Sequence, residues 1–491
     1  MVDVVVVGAG NAALCAALSV AEQGASVAVL ERAPKEQRGG NSAFSGGAFR
    51  VTYDGVEDLK RLIPDLSEAE IANTDFGTYT EETYFNDLAR LSEYHMDPDL
   101  AEILTTQSLE VAEWMVERGV RFVPIYGRQA YKVDGRFKFW GGLTIEASGG
   151  GRGLMDSLFA AVEKAGINVL YGARATGLRQ DGSKVTGIEA IRDGKTLELD
   201  TSAVILASGG FHANAEWRAR YLGKNWDLTK VRGSRFNTGD GIAMAIEAGA
   251  MPYGHWSGCH SVAYEVNAPE FGELDLLSQQ KNSFPLGIIV NKRGERFYDE
   301  GADFRNYNYS SLGAAILEQP QAVAWQIFDQ KVVSSLSEEY RIKQVTKVEA
   351  DTLEELAEKL GGDNREEFLG ELERYNAGVS SNVPFNPNVK DGRRTEGLAV
   401  PKSNWANRLD SPPYVAFGVT CGITFTYGGL RIDGDGRVMT PEGTALPGLY
   451  ATGELAGGLY YINYPGGAGL MSGSVFGRRA GRHAAAHAAG K

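Results

Sequence analysis

The stretch Met1-Val-Asp-Val4-Val-Val-Val7-Gly8-Ala-Gly10-Asn11-Ala12-Ala13-Leu-Cys-Ala-Ala-Leu18, closed by Val27-Ala-Val-Leu30-Glu31-Arg32, decides the fold. The β-branched run Val4 to Val7 reads as a strand buried on both faces, as in a parallel sheet. It ends in a G-x-G-x-x-A turn that opens an alanine- and leucine-rich helix running to about Gly24. A second apolar strand, Val27 to Leu30, then delivers Glu31. Gly8 permits a sharp turn, Gly10 leaves bare backbone for a pyrophosphate, and Ala13 keeps the helix close to the sheet. The N–H groups of Asn11 and Ala12 begin a helix whose positive end favours phosphate, and Glu31 is placed to accept both hydroxyls of a ribose. Strand, turn, helix, strand and acid in this order predict a dinucleotide-binding α/β unit. An acid at the end of the second strand argues against a phosphorylated ribose.

Length and charge narrow the class. At 491 residues the chain exceeds what one core usually holds, so two domains are expected. A formal net charge of −14 disfavours nucleic acid and anionic membrane surfaces, though not a small anionic substrate in a local cationic pocket. Only three cysteines occur, Cys15, Cys259 and Cys421, too far apart for an iron–sulfur or haem motif, and no metal ligand set is expected. With a strand at the very start and no twenty-residue apolar run, the expectation is a cytoplasmic protein without membrane insertion.

Outward from the first unit, Arg38-Gly39-Gly40-Asn41-Ser42-Ala-Phe-Ser45-Gly46-Gly47 is a loop rich in backbone donors, suited to a pyrophosphate and a ring edge. A solvated linker is the alternative. Helices are expected over 55–120, one starting at Asp97 or Pro98. Arg121 to Trp140 mixes basic and aromatic residues and reads either as a half-exposed hairpin or as a pocket lining. A helix (Leu154 to Ala165), a strand (Asn168 to Tyr171) and a meander lead to Ala203-Val-Ile-Leu206-Ala207-Ser208-Gly209-Gly210, a second buried strand ended by glycines. Thr238-Gly-Asp240-Gly opens an alanine-rich helix with Asp240 placed as its N-cap. From about 251 to 350 the alternation gives way to irregular, Asn- and Tyr-rich sequence. The division that follows is 1–240 and 353–491 as one discontinuous domain, with 241–352 as a capping domain inserted in it. In the last part stand Ala451-Thr-Gly453-Glu454, Asn463-Tyr464-Pro-Gly-Gly and Gly469-Leu470, the last opening the final helix.

Together with Val290-Asn-Lys-Arg-Gly-Glu-Arg-Phe297, these motifs occur in the order found in the fumarate reductase and succinate dehydrogenase flavoproteins, and the chain resembles that family over nearly its whole length. Asn11-Ala-Ala-Leu-Cys-Ala-Ala-Leu18, Arg38-Gly-Gly-Asn-Ser42 and Asn463-Tyr-Pro-Gly-Gly467 look most like its tricarballylate dehydrogenase branch. The resemblance implies a Rossmann-like FAD-binding domain of the glutathione reductase type with an inserted α+β capping domain. It also implies FAD held at Gly8, Gly10, Asn11, Ala12, Glu31, Arg32, Gly39, Gly40, Asn41, Ser42, Ser45, Gly46, Gly47, Ala207 to Gly210, Thr238, Asp240, Gly453, Glu454, Gly469 and Leu470. The glycine loop has no histidine where membrane-bound relatives attach FAD, so the cofactor is expected to be noncovalent.

The implied chemistry is hydride transfer between flavin and a CH–CH or C=C bond of a small polycarboxylate-like substrate, with Arg305 matching the family's proton-transfer arginine. Arginine is normally never deprotonated, so its alternative role is a carboxylate-binding cation. The family's acid–x–x–Arg relay falls in Ser278-Gln-Gln-Lys-Asn-Ser-Phe-Pro285, which has neither acid nor arginine. Phe425 and Tyr464 stand where two carboxylate clamps are expected, and His260 is the remaining clamp by a loose alignment. Tyr464 also resembles a tyrosine of ketosteroid dehydrogenases, so a ketone or steroid-like substrate, with Tyr307 or Tyr309 assisting, is the second reading. A third is a noncatalytic electron-transfer subunit. A separate iron–sulfur or membrane partner is the expected source or sink of electrons.

Overall fold

The computed structural model describes residues 2–276, 279–361, 364–380 and 382–490; Met1 and Ser278 of the motifs above lie outside them. Strand β1 (Val2–Val7), helix α1 (Asn11–Glu22) and strand β2 (Val27–Glu31) form as the opening sequence requires. Strand β1 sits at the centre of an eight-stranded sheet, parallel to β2 on one side and to Lys195–Leu206 on the other. Asn168–Tyr171 extends the sheet parallel to β2. The meander expected after it consists of Ala173–Asp181, Lys184–Arg192 and Lys195–Leu206, antiparallel at the sheet's outer end. The late strand Ala445–Ala451 returns to lie parallel to Lys195–Leu206. Both glycine-ended strands, β1 and Lys195–Leu206, therefore finish at one edge of one sheet. That edge, at the carboxyl ends of parallel strands, is where open α/β sheets bind ligands.

A second sheet is built on one long strand, Tyr414–Leu430, which pairs with Lys230–Val231, Pro252–Glu265, Val323–Phe328 and Lys347–Ala350. Two of its features depart from the division expected from sequence. Its central strand comes from the part of the chain assigned to the first domain. Helices Leu353–Gly361 and Arg365–Gly378, assigned there too, bury Leu356, Phe368 and Leu372 in one apolar cluster with Ile288, Val290 and Ala416 of the second sheet. The physical reason is the apolar stripe of each helix, which needs a sheet face to cover it. The amphipathic pattern marked the helices but not which sheet they cover.

The last helix, Ala468–Ala488, lies along α1. Gly473, Gly477 and Gly481 recur every fourth residue and so share one face. A Cβ on Gly477 would come 2.5 Å from the Ala12 carbonyl oxygen, and one on Gly481 2.5 Å from that of Ala16. Backbone meets backbone here. The Asn11 side chain donates to the Leu470 carbonyl (2.8 Å), and Ser19 Oγ donates to the Arg478 carbonyl (2.8 Å). The two ends of the chain are thereby locked together. Among the described residues no helix is long and apolar enough to cross a membrane.

Gly477→Val places two methyl groups where a carbonyl already sits. The variant is expected to lose about 1–3 kcal/mol of stability, measurable as a lower denaturant midpoint with unchanged slope. An unchanged midpoint would mean that the helices do not need this close approach.

Candidate active site

One cavity of about 2270 Å³, its open mouth included, runs from the sheet edge to the underside of the second sheet. Its lining joins the glycine motifs of the first sheet to Arg305 and Phe425, so one space touches both. Its floor is the opening motif. Gly8 (φ +105°) leaves β1 so tightly that a Cβ there would lie 2.4 Å from the Ala207 carbonyl oxygen. Gly10 and Ala12 line the floor beside it, with Ser208 and Gly209 at the end of the neighbouring strand. The Asn11 N–H donates to Ser42 Oγ (3.0 Å), which ties the helix start to the glycine loop.

Glu31, at the end of β2, is 6% exposed. Its Oε1 accepts the Ala33 N–H (2.7 Å), and burial, opposed by its hydrogen bonds to backbone, raises its carboxyl to about 6. Arg32 turns away from it and donates to Thr238 Oγ1 (2.6 Å) and Asp240 Oδ2 (3.0 Å). Asp240 was expected as an N-cap. Gly239 holds that position, and Asp240 is the first helical residue, its carboxylate occupied by Arg32 and by Arg174 (2.9 Å).

The glycine loop divides into lining and support. Gly40, Asn41, Ser42, Ser45 and Gly46 face the cavity. Gly39 and Gly47 do not: a Cβ on Gly39 meets Met155 at 3.1 Å, and one on Gly47 meets the Gly150 backbone at 2.6 Å. Gly210 is likewise behind the wall, packed on Glu454. Asn41 reaches across to donate to the Thr424 carbonyl (2.7 Å) of the second sheet.

Glu454 is the junction of three segments. Its Oε1 meets His212 Nδ1 at 3.0 Å and accepts the Thr426 N–H at 2.9 Å, and its Oε2 accepts from Asn237 Nδ2 at 3.4 Å. Burial works to raise its carboxyl, but His212 and the donors outweigh it and hold it below the ordinary range. His212 carries no motif and was missed by the sequence reading; a histidine two residues beyond the Gly209-Gly210 pair was its only signal.

At the far end stand the groups expected to meet substrate. Arg305 begins helix Arg305–Leu317 and is 6% exposed, and its Nε has no hydrogen-bond partner. Arg232 was not foreseen. It lines the cavity with neutral hydrogen-bond partners, Gln280 Oε1 at 3.3 Å and Thr424 Oγ1 at 3.5 Å among them, and burial holds its guanidinium below its ordinary value. Arg128, from the basic–aromatic segment, lines the cavity too but is neutralised by Glu146. In place of the relay stretch, Gln280 and Asn282 face the cavity, and the buried carboxylate among them is Glu339, held low by Arg128 against the cost of burial.

His260, Phe425 and Tyr464 form one aromatic group. His260 lies over Phe425 (5.2 Å, 22°) and edge-on to Tyr464 (5.1 Å, 75°). Burial and Arg232 push the histidine well below its ordinary value, so it is neutral near pH 7. The Gly469 N–H donates to Tyr464 Oη (2.9 Å), pinning that ring to the start of the last helix. Of the two tyrosines proposed to assist it, Tyr309 lines the cavity, whereas Tyr307 Oη lies outside it, 2.7 Å from Asp87 Oδ2 and 2.9 Å from the Gly141 carbonyl oxygen, its one proton shared between them.

A family model described as FAD binding domain matches residues 3–470. The chain belongs to the FAD binding domain family. It is 30% identical over 548 residues to the NADH:acrylate oxidoreductase of Vibrio harveyi, covering 98% of this chain and 50% of that protein. The chain thus spans about half the length of the first curated relatives it matches. Among solved structures, the open conformation of a flavocytochrome c3 fumarate reductase superposes with a TM-score of 0.74 at 26% identity, over 99% of this chain and 78% of that one. The 3-ketosteroid delta1-dehydrogenase of Sterolibacterium denitrificans shares the fold, with a TM-score of 0.75 at 22% identity and 99% of both chains covered.

FAD fits the cavity on its own chemistry. The Gly8 turn leaves no room for a side chain, the buried Ser208 Oγ has no protein partner, and the Glu31 carboxylate lines the cavity. The N–H groups of Asn11, Ala468 and Gly469 are taken by Ser42, Pro465 and Tyr464, and the two helix starts turn Ala12 and Leu470 toward the same space.

Ribose hydroxyls donating to Glu31 favour its charged form, so FAD binding releases its proton. Affinity is therefore expected to be flat above pH 6 and to fall by up to about tenfold per pH unit below it. Fluorescence titration of the apoprotein checks this. Glu31→Gln is expected to bind more weakly with no such slope; a slope kept in that variant would assign it to another group.

Proposed function

We propose that this chain is an FAD-dependent oxidoreductase of a carbon–carbon bond next to a carboxylate, acting as a dehydrogenase or as a reductase of the corresponding alkene. The observation that supports this reading best is a pair of guanidinium groups facing the cavity that fits FAD, Arg305 buried and Arg232 part-buried, with no carboxylate within 4 Å of either among the described residues. A buried cation without an anion is costly, and a substrate carboxylate relieves that cost.

Noncovalently bound FAD supplies the two-electron step by accepting or giving a hydride. The protein supplies the rest. Arg232 binds carboxylate oxygen. Arg305 holds a proton on a guanidinium nitrogen in a desolvated setting and exchanges it with the carbon next to the carboxylate. His260, Phe425 and Tyr464 orient the substrate and exclude water. Tricarballylate, a polycarboxylate, draws support from the three arginines, but Arg128 already has Glu146 as its partner. A ketone substrate is favoured by a different observation: Tyr464 Oη accepts from Gly469 N–H, which leaves its own proton to donate. The same reading includes a separate electron-transfer partner and a cytoplasmic setting, the latter supported by three unpaired cysteines.

Arg305→Ala is expected to keep bound FAD and lose about 10²–10⁴-fold in turnover, measured as reoxidation of the reduced flavin by an unsaturated acid. Full turnover in that variant would remove Arg305 from the chemistry. Tyr464→Phe is expected to keep most of the rate with acids; loss confined to cyclic ketones would favour the second reading.

A further inference from the structure

The two ends of the substrate space differ in kind. Arg305 and Tyr309 lie four residues apart on one helix, so they share a face and stand about one turn, roughly 6 Å, apart. Arg232, just past the short strand Lys230–Val231, meets Thr424 Oγ1 (3.5 Å) at the same end. The other end is aromatic: the rings packed on Phe425 are those of His260, Tyr427, Tyr460 and Tyr464. His260 lies between Phe425 and Tyr309, edge-on to the latter at 4.9 Å. The Nδ1 of His260 and the hydroxyl of Tyr427 are buried at this end without protein partners, while Arg305 Nε and Asn282 Oδ1 are the matching unpartnered atoms at the cationic end.

We propose that the substrate is a monocarboxylate with an aromatic ring on the carbon beyond the reacting bond, a 3-arylacrylate and its saturated 3-arylpropanoate. This rests on the carboxylate reading above and narrows it. Its carboxylate meets Arg232 and Arg305, and its ring packs against Phe425 and Tyr309. A three-carbon acid bearing a ring at its far carbon spans about one helical turn between the two groups. The second carboxylate of a dicarboxylic acid would instead be pressed against neutral rings with no counter-ion, which is unfavourable. An aromatic ring finds offset and edge contacts there, and a polar ring substituent reaches His260 Nδ1 or the Tyr427 hydroxyl. With FAD bound, the reducing direction would place a hydride on the ring-bearing carbon while Arg305 gives a proton to the carbon beside the carboxylate. Oxidation would run both transfers in reverse.

The holoprotein, reduced with dithionite without oxygen, is mixed separately with cinnamate, acrylate, fumarate, aconitate and cyclohexenone, and the return of oxidised flavin absorbance is followed. Cinnamate is expected to react with a second-order rate constant at least about tenfold above acrylate and fumarate. Phe425→His is expected to shift the cinnamate-to-fumarate ratio toward fumarate by a similar factor. Perturbation of the oxidised flavin spectrum by cinnamate, and not by fumarate, gives a second readout in the unaltered protein. Fumarate, aconitate or acrylate reacting fastest would overturn the aryl assignment and leave the carboxylate reading standing. Reoxidation by cyclohexenone alone, or by none of the compounds with no spectral perturbation, would overturn both.

Discussion

The contact between the first and last helices is the constraint on which the other features hang. Gly473, Gly477 and Gly481 let the final helix approach α1 until backbone touches backbone, and Asn11 fixes the register by bonding to Leu470 and Ser474. Any larger residue on that face would push the helices apart. Because they are held close, the starts of both helices open into one cavity, where their positive dipole ends add. A helix that begins 461 residues after the end of β1 thus completes the cavity that the opening motif begins.

The second sheet is attached to that site through its longest strand. Thr426 donates its N–H to Glu454, and its Oγ1 accepts the Phe211 N–H (3.3 Å), so the strand that carries Phe425 is bonded to two glycine-ended turns of the first sheet. Specificity and cofactor geometry therefore share one rigid element. The electrostatics are local. A chain of net charge −14 gathers Arg128, Arg232 and Arg305 around one cavity and neutralises only the first of them directly. The net surface charge disfavours anionic polymers, while Arg232 and Arg305 place positive charge at the cavity.

Most of the first unit was legible in the sequence because its signals are local. A β-branched run, a glycine turn and an acid at the next strand's end each act within a few residues, and Val2–Val7, Asn11–Glu22 and Glu31 fall where those signals put them. Arg232 and His212 were not legible. Each owes its position to strands far away in sequence, Thr424 for one and Glu454 for the other. Asp240 shows a subtler failure. Its position one residue inside the helix, with Gly239 before it, lets the carboxylate reach Arg32, a tertiary ion pair that outweighed the local cap. The helices over 353–378 show another: periodicity predicts an apolar stripe but does not name the surface it covers.

The central claim is that the two ends of the chain together hold one FAD without a covalent bond. Denaturing the purified, folded protein and separating the released small molecules by chromatography tests it directly. One FAD released per chain, with colourless polypeptide left behind, is the predicted result. Folded protein that contains no flavin and takes up none when supplied, or flavin that stays attached to the denatured chain, would contradict it.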